Sequence, residues 1–69
     1  MKIVFTKHAE DMLIKRRITK DEAETTIKSP EKLTKEEDKY YASKNIGQGI
    51  IEIVYERETY IKVISVYWL

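Results

Sequence analysis

The stretch "FTKHAEDMLIKRRITKDE" (residues 5–22) decides how this chain is built, because it holds two helix starts separated by a break. Thr6 is a good N-cap residue, and "KHAEDMLIKRR" after it reads as helix. Ala9, Met12, Leu13 and Arg16 fall on neighbouring faces at three- and four-residue spacing. A second helix starts at "ITKDE". Thr19 followed three residues later by Glu22 is a capping box, and Ile18 can staple against Ala23. Asp21 and Glu22 suit the positive end of that helix. Ser29-Pro30 ends it near Lys28, since a residue preceding proline avoids helical geometry.

Working outward, "KIVF" (residues 2–5) is short and β-prone. "PEKLTKEEDK" (residues 30–39) is a polar connector with room for a short edge strand around Leu33. From Lys39 the pattern turns to β: "KYYASKNI", a turn at "GQG", "IIEIVYE", a turn at "RET", then "YIKVISVYWL". Gly47 and Gly49 supply the permissive backbone of a hairpin connection. The last two strands are apolar on nearly both faces, which predicts central strands covered on both sides. The expected fold is one α+β domain over residues 1–69, in β-α-α-β-β-β order. Two N-terminal helices pack on an antiparallel sheet of three or four strands.

Composition narrows the function classes. The chain has no cysteine and one histidine, which removes disulfides, thiolate metal sites and a multi-histidine zinc site within one chain. No metal or cofactor is expected. With 13 Lys+Arg against 12 Asp+Glu, the charge is balanced, unlike a strongly basic nucleic-acid binder, and DNA is not an expected partner. The 36% charged content resembles a thermophile's composition. No segment has the apolar length of a membrane span, and the N-terminus lacks a signal peptide's apolar run, so a soluble cytoplasmic protein is expected.

A few residues stand out. His8 falls at the second position of the first helix, where free N–H groups disfavour an imidazolium. A neutral imidazole can accept a proton, as a general base must, although a histidine decorating an exposed first turn explains the position equally. Arg16 lies eight residues on, about 80° around the helix and roughly 12 Å along it. It can pin a phosphate with bidentate geometry, or simply complement the helix dipole, as Arg17 also can. Lys15, Arg16, Arg17 and Lys20 form the densest positive cluster.

In the last strand, strict alternation puts Ser65 on the face of Ile61, Val63, Tyr67 and Leu69, and Lys62 on the face of Ile64, Val66 and Trp68. A hydroxyl within an apolar strand needs a partner or a task, and a lysine there can snorkel to the rim. The carboxylates offer no metal or acid/base pair, and Glu36, Glu37 and Asp38 read as a solvated turn. One histidine, some cations and hydroxyls on a sheet suit metal-free attack on a phosphodiester. They provide a base for the 2′-hydroxyl, cations for the pentavalent oxyanion and a weak acid for the leaving group. Composition alone does not select that chemistry.

"FTKHA", "KRRIT" with Arg16 eight residues after His8, "SP", "IIEIVYE" and the closing "VISVYW" resemble, in order and over nearly the whole chain, a small uncharacterised domain family of bacteria and archaea. That family is similar to the metal-independent ribonuclease folds of barnase, EndoU, the colicin D and E5 nucleases and RelE-type toxins. The resemblance implies an active face formed by the sheet and the first helix. His8 would be base or acid, Arg16 the family's arginine, and Ser65 the final-strand hydroxyl with Tyr67 following it. Lys15, Arg17 and Lys39 are looser phosphate-binding candidates. Ser65 stands where the family has threonine, and Arg17 where it has glycine.

The function expected from the resemblance is a metal-independent endoribonuclease, the toxin of a toxin–antitoxin pair, cleaving RNA through a 2′,3′-cyclic phosphate. Its partners would be RNA and a cognate antitoxin. The alternative is a non-catalytic protein-binding or dimerisation module that keeps the fold, with the apolar C-terminal strand as an edge open to a second copy.

Overall fold

The computed structural model describes residues 1–69. The elements run β1 (Ile3–Phe5), α1 (Lys7–Arg16), α2 (Lys20–Lys28), β2 (Lys32–Glu36), β3 (Lys39–Asn45), β4 (Ile50–Arg57) and β5 (Ile61–Trp68). Both helices start where their caps require. The Thr6 hydroxyl accepts the Ala9 N–H at 3.0 Å, and Thr19 and Glu22 exchange the two bonds of a capping box. Arg17 ends α1 in left-handed geometry, with φ 57°. Its N–H bonds the Ile14 carbonyl and the Ile18 N–H bonds that of Leu13, satisfying helix-end acceptors. Helix α2 stops at Ser29, just before Pro30.

The sheet has five strands in the order β1-β5-β4-β3-β2, and it is mixed rather than antiparallel. Strands β2 to β5 are the four antiparallel strands expected, with the edge strand around Leu33, and the correction lies in β1, which makes five. At one edge β1 joins β5 in parallel, with Ile3 opposite Ile61 and Phe5 opposite Val63. At the other, Lys32–Glu36 forms a full edge strand against β3, closed by a two-residue turn in which Glu37 takes φ 57°. In the C-terminal strand β1 flanks Ile61–Val63, and from Ile64 to Trp68 the outer side pairs with no strand.

One face of the sheet carries the core. Ala42, Ile51, Ile53, Val63 and Val66 are fully buried there against Ala9, Met12 and Leu13 of α1 and Ala23 and Ile27 of α2. Each buried Ile or Val contributes about 1.5–3 kcal/mol. The alanines, at 0% exposure, let the helices sit close to the strands. Tyr40 and Tyr55 stack at 5.1 Å on the same face. Thr26, fully buried in α2, turns its hydroxyl back onto the Glu22 carbonyl at 2.8 Å, and no fully buried side-chain nitrogen or oxygen lacks a partner.

The opposite face carries no helix. The expectation of cover on both sides of β4 and β5 is corrected, because both helices pack on the core side. Residues facing away on neighbouring strands fall into rows. One is Lys62, Glu56, Lys39 and Glu36, alternating in charge across four strands. Another is Ser65, Val54, Tyr41 and Thr34; a third is Tyr67, Glu52, Ser43 and Lys32. Opposite charges set directly across a sheet attract, and Lys39 Nζ lies 3.6 Å from Glu56.

Candidate functional site

The position of Ser65 is set by a β-bulge. Tyr55 pairs with Val63 but Val54 pairs with Ser65, so Ile64 is an extra residue in β5. The extra residue resets the alternation. Ile61 and Val63 share the core face with Val66 and Trp68, while Ser65 and Tyr67 join Lys62 on the open face. Strict alternation had grouped Ser65 and Tyr67 with Ile61 and Val63 and set Lys62 apart from them. That grouping is corrected, because alternation cannot be carried through a bulge.

The bulge brings Tyr67 opposite Glu52. The Tyr67 hydroxyl donates to Glu52 Oε1 at 2.5 Å, on the half-buried middle of the open face. Burial, then the bond to the carboxylate, and then its charge push the Tyr67 hydroxyl up to about 12. Tyr67 thus keeps its proton at all ordinary pH values and donates it to Glu52. Ser65 lies in the adjacent row, and its hydroxyl makes no hydrogen bond within the protein. A free hydroxyl beside a held carboxylate and a proton-bearing phenol is an arrangement that can orient an oxyanion and accept a proton from an alcohol.

Glu52 is the residue that reading the sequence missed. Its signal was available: a carboxylate centred in "IIEIVYE" is the same anomaly as Lys62 and Ser65 in the next strand.

The α1 candidates are placed differently. His8 is exposed at the second helical position, and its side chain makes no hydrogen bond or ion pair. The Thr6 N–H bonds the Val63 carbonyl at 3.1 Å, and Trp68 Nε1 donates to the Arg16 carbonyl at 2.9 Å. Helix α1 therefore runs alongside β5 from Val63 to Trp68, on the core side. Ser65 and Tyr67 project from the other side of the same strand. The structure thus joins Ser65 and Tyr67 with Glu52, and holds His8, Lys15, Arg16 and Arg17 together on α1 and its C-terminal end, with the sheet between the two groups.

Lys39 stands at the edge of the open face, its ammonium 3.7 Å from Asp38 and 3.6 Å from Glu56. Those carboxylates already neutralise it. The guanidinium groups of Arg16 and Arg17 and the Lys15 ammonium make no ion pair. The larger of two surface grooves is lined by Lys7, Glu10, Leu13, Ile14, Ile18 and Lys20, among others, and includes none of these candidate residues.

No helix is long and apolar enough to cross a membrane. No curated protein and no solved structure matches the chain. One family model does match, over residues 5–68, from the last residue of β1 to the last residue of β5. The chain belongs to the family described as "Domain of unknown function (DUF4258)".

Proposed function

We propose that this domain is a metal-independent endoribonuclease, the toxin of a toxin–antitoxin pair, with the helix-free face of the sheet as its active surface. The observation that carries the reading is the Tyr67–Glu52 hydrogen bond beside the unpartnered Ser65 hydroxyl. In the cleavage step Glu52 takes the proton of a ribose 2′-hydroxyl. The 2′-oxygen then bonds to phosphorus as the bond to the 5′-oxygen breaks, leaving a 2′,3′-cyclic phosphate. The departing 5′-oxygen takes its proton from solvent water. Ser65 donates to a non-bridging phosphate oxygen, and Tyr67, whose one proton goes to Glu52, holds that carboxylate in place. An antitoxin segment laid across the open face would block all of these groups at once.

The test is a cleavage assay on mixed cellular RNA with chelator present. It compares wild type with His8→Ala, Arg16→Ala, Ser65→Ala and Glu52→Gln. Cyclic-phosphate ends from wild type, lost in Glu52→Gln and Ser65→Ala, support the open face as the active surface. Loss in His8→Ala and Arg16→Ala as well adds α1 to it.

The second reading is a non-catalytic protein-binding module. It is favoured by the sheet that separates His8 and Arg16 from Ser65 and Tyr67, and by the neutralised Lys39. A folded wild type that cleaves nothing decides for it.

A further inference from the structure

Strand β2 ends the sheet, with β3 on one side and nothing on the other. All five of its residues, Lys32, Leu33, Thr34, Lys35 and Glu36, are exposed, and Leu33 leaves 51% of its surface in solvent. The strand holds no proline, glycine or bulge that would spoil its outer edge.

The hydrogen-bonding parity of that edge follows from the hairpin. A two-residue turn closes on a hydrogen-bonded pair, here Glu36 opposite Lys39. Bonding then alternates along the strand, so Lys32, Thr34 and Glu36 exchange bonds with β3. The N–H and C=O groups of Leu33 and Lys35 point outward.

We infer that β2 pairs edge to edge with β2 of a second copy, antiparallel, about a two-fold axis at Thr34. Only pairings that set Leu33 and Lys35 against each other or against themselves use the outward groups. An axis at Lys35 puts two ammonium groups face to face. An axis at Leu33 sets Lys35 against Glu31, whose N–H is already bonded to the Ser43 carbonyl at 2.9 Å within one copy.

The axis at Thr34 uses the whole strand. Leu33 of each copy pairs with Lys35 of the other, each pair exchanging both of its N–H···O bonds. Lys32 faces Glu36 at both ends, and Thr34 faces Thr34 in the middle. The two Leu33 side chains become diagonal neighbours across the axis, which covers the most exposed apolar group of the strand. Charges on an edge strand ordinarily discourage pairing. These are spaced so that one register with one partner, the same strand, neutralises them. The contact is small, so the dimer forms in a concentration-dependent way.

Sedimentation equilibrium from micromolar to millimolar protein tests this. The wild-type mass should climb from 8.2 kDa towards twice that value. Lys32→Glu and Glu36→Lys each set like charges against each other at both ends. Each alone should weaken self-association about tenfold or more. Mixed in equal amounts, the two variants face each other with opposite charges at both ends and should associate again. Leu33→Pro removes an N–H that bonds nothing within one copy, and it too should stay monomeric. A wild type that stays at 8.2 kDa overturns the inference. So does a dimer indifferent to these substitutions, or a mixture that stays monomeric while the wild type dimerises.

Discussion

The Trp68 indole N–H donates to the Arg16 carbonyl oxygen at 2.9 Å, tying the end of β5 to the end of α1 across 52 residues of chain. The ring also packs against the core, so one side chain both fills space and fixes where the helix stops. Trp68→Phe keeps an aromatic ring but strands the carbonyl. It should cost about 1 kcal/mol, a fall in Tm of roughly 4–8 °C in a domain of this size, measured by thermal unfolding. Arg16→Ala retains the acceptor, which is backbone, and should stay within about 0.5 kcal/mol of wild type. A loss of activity in Arg16→Ala would then reflect its charge and not a damaged fold.

Arg17 sits at φ 57° where α1 ends, a conformation that costs an L-residue roughly 1 kcal/mol. Glycine adopts it freely. Arg17→Gly should raise stability by about 0.5–1 kcal/mol in denaturant unfolding, despite the greater freedom it gives the unfolded chain. An unchanged or lower midpoint would show that the arginine stem packs well enough to offset its backbone strain.

Tyr67 gives a pH signature. Its hydroxyl is held up to about 12 by burial and by the bond to Glu52, against 10.0 for an unshifted tyrosine. The folded state therefore favours the neutral phenol. Stability from this source is fully present below about pH 10 and is lost as pH rises through about 12, because the unfolded chain releases the proton first. An ultraviolet titration of the five tyrosines should show a late component at the alkaline end. Tyr67→Phe should remove it, and Glu52→Gln should move it earlier. Tyr55, raised mainly by burial, should also titrate late and persist in both variants.

Ser65 tests the site without disturbing the fold. Its hydroxyl has no partner in the protein, so Ser65→Ala should change stability by less than about 0.5 kcal/mol in the same unfolding assay. A larger loss would mean that the hydroxyl is structural, and it would remove Ser65 from the proposed site.

The parts of this fold that could be read from the sequence are those fixed by neighbours along the chain. Thr6, Thr19 with Glu22, and Ser29-Pro30 mark the helices because caps and proline act over three or four residues. The strands from Lys39 onward announced themselves by β-branched and aromatic content. Strand β2 could be placed around Leu33 but not bounded, since all its side chains are exposed and show no alternation. The parallel β1–β5 pair joins segments that no local pattern connects.

The candidate site was legible as residue types but not as geometry. Ile64 carries no mark of a bulge, yet as an extra residue it sends Ser65 and Tyr67 to the face opposite the helices and hides the partnership with Glu52.

The place of β5 in the sheet has a consequence for synthesis. Strands β1 and β4 and helix α1 all dock on this strand, which is the last element in chain order. A nascent chain that has emerged from the ribosome only as far as Tyr60 has its two helices and the β2–β3–β4 meander. It has nothing to hold β1, and no Val63 or Val66 to close the core. Closing that long loop is the slow step for contacts so distant in sequence. Folding of this domain is thus predominantly an event of the finished segment, and until residue 68 is free the exposed edge of β4 is the surface most in need of a chaperone.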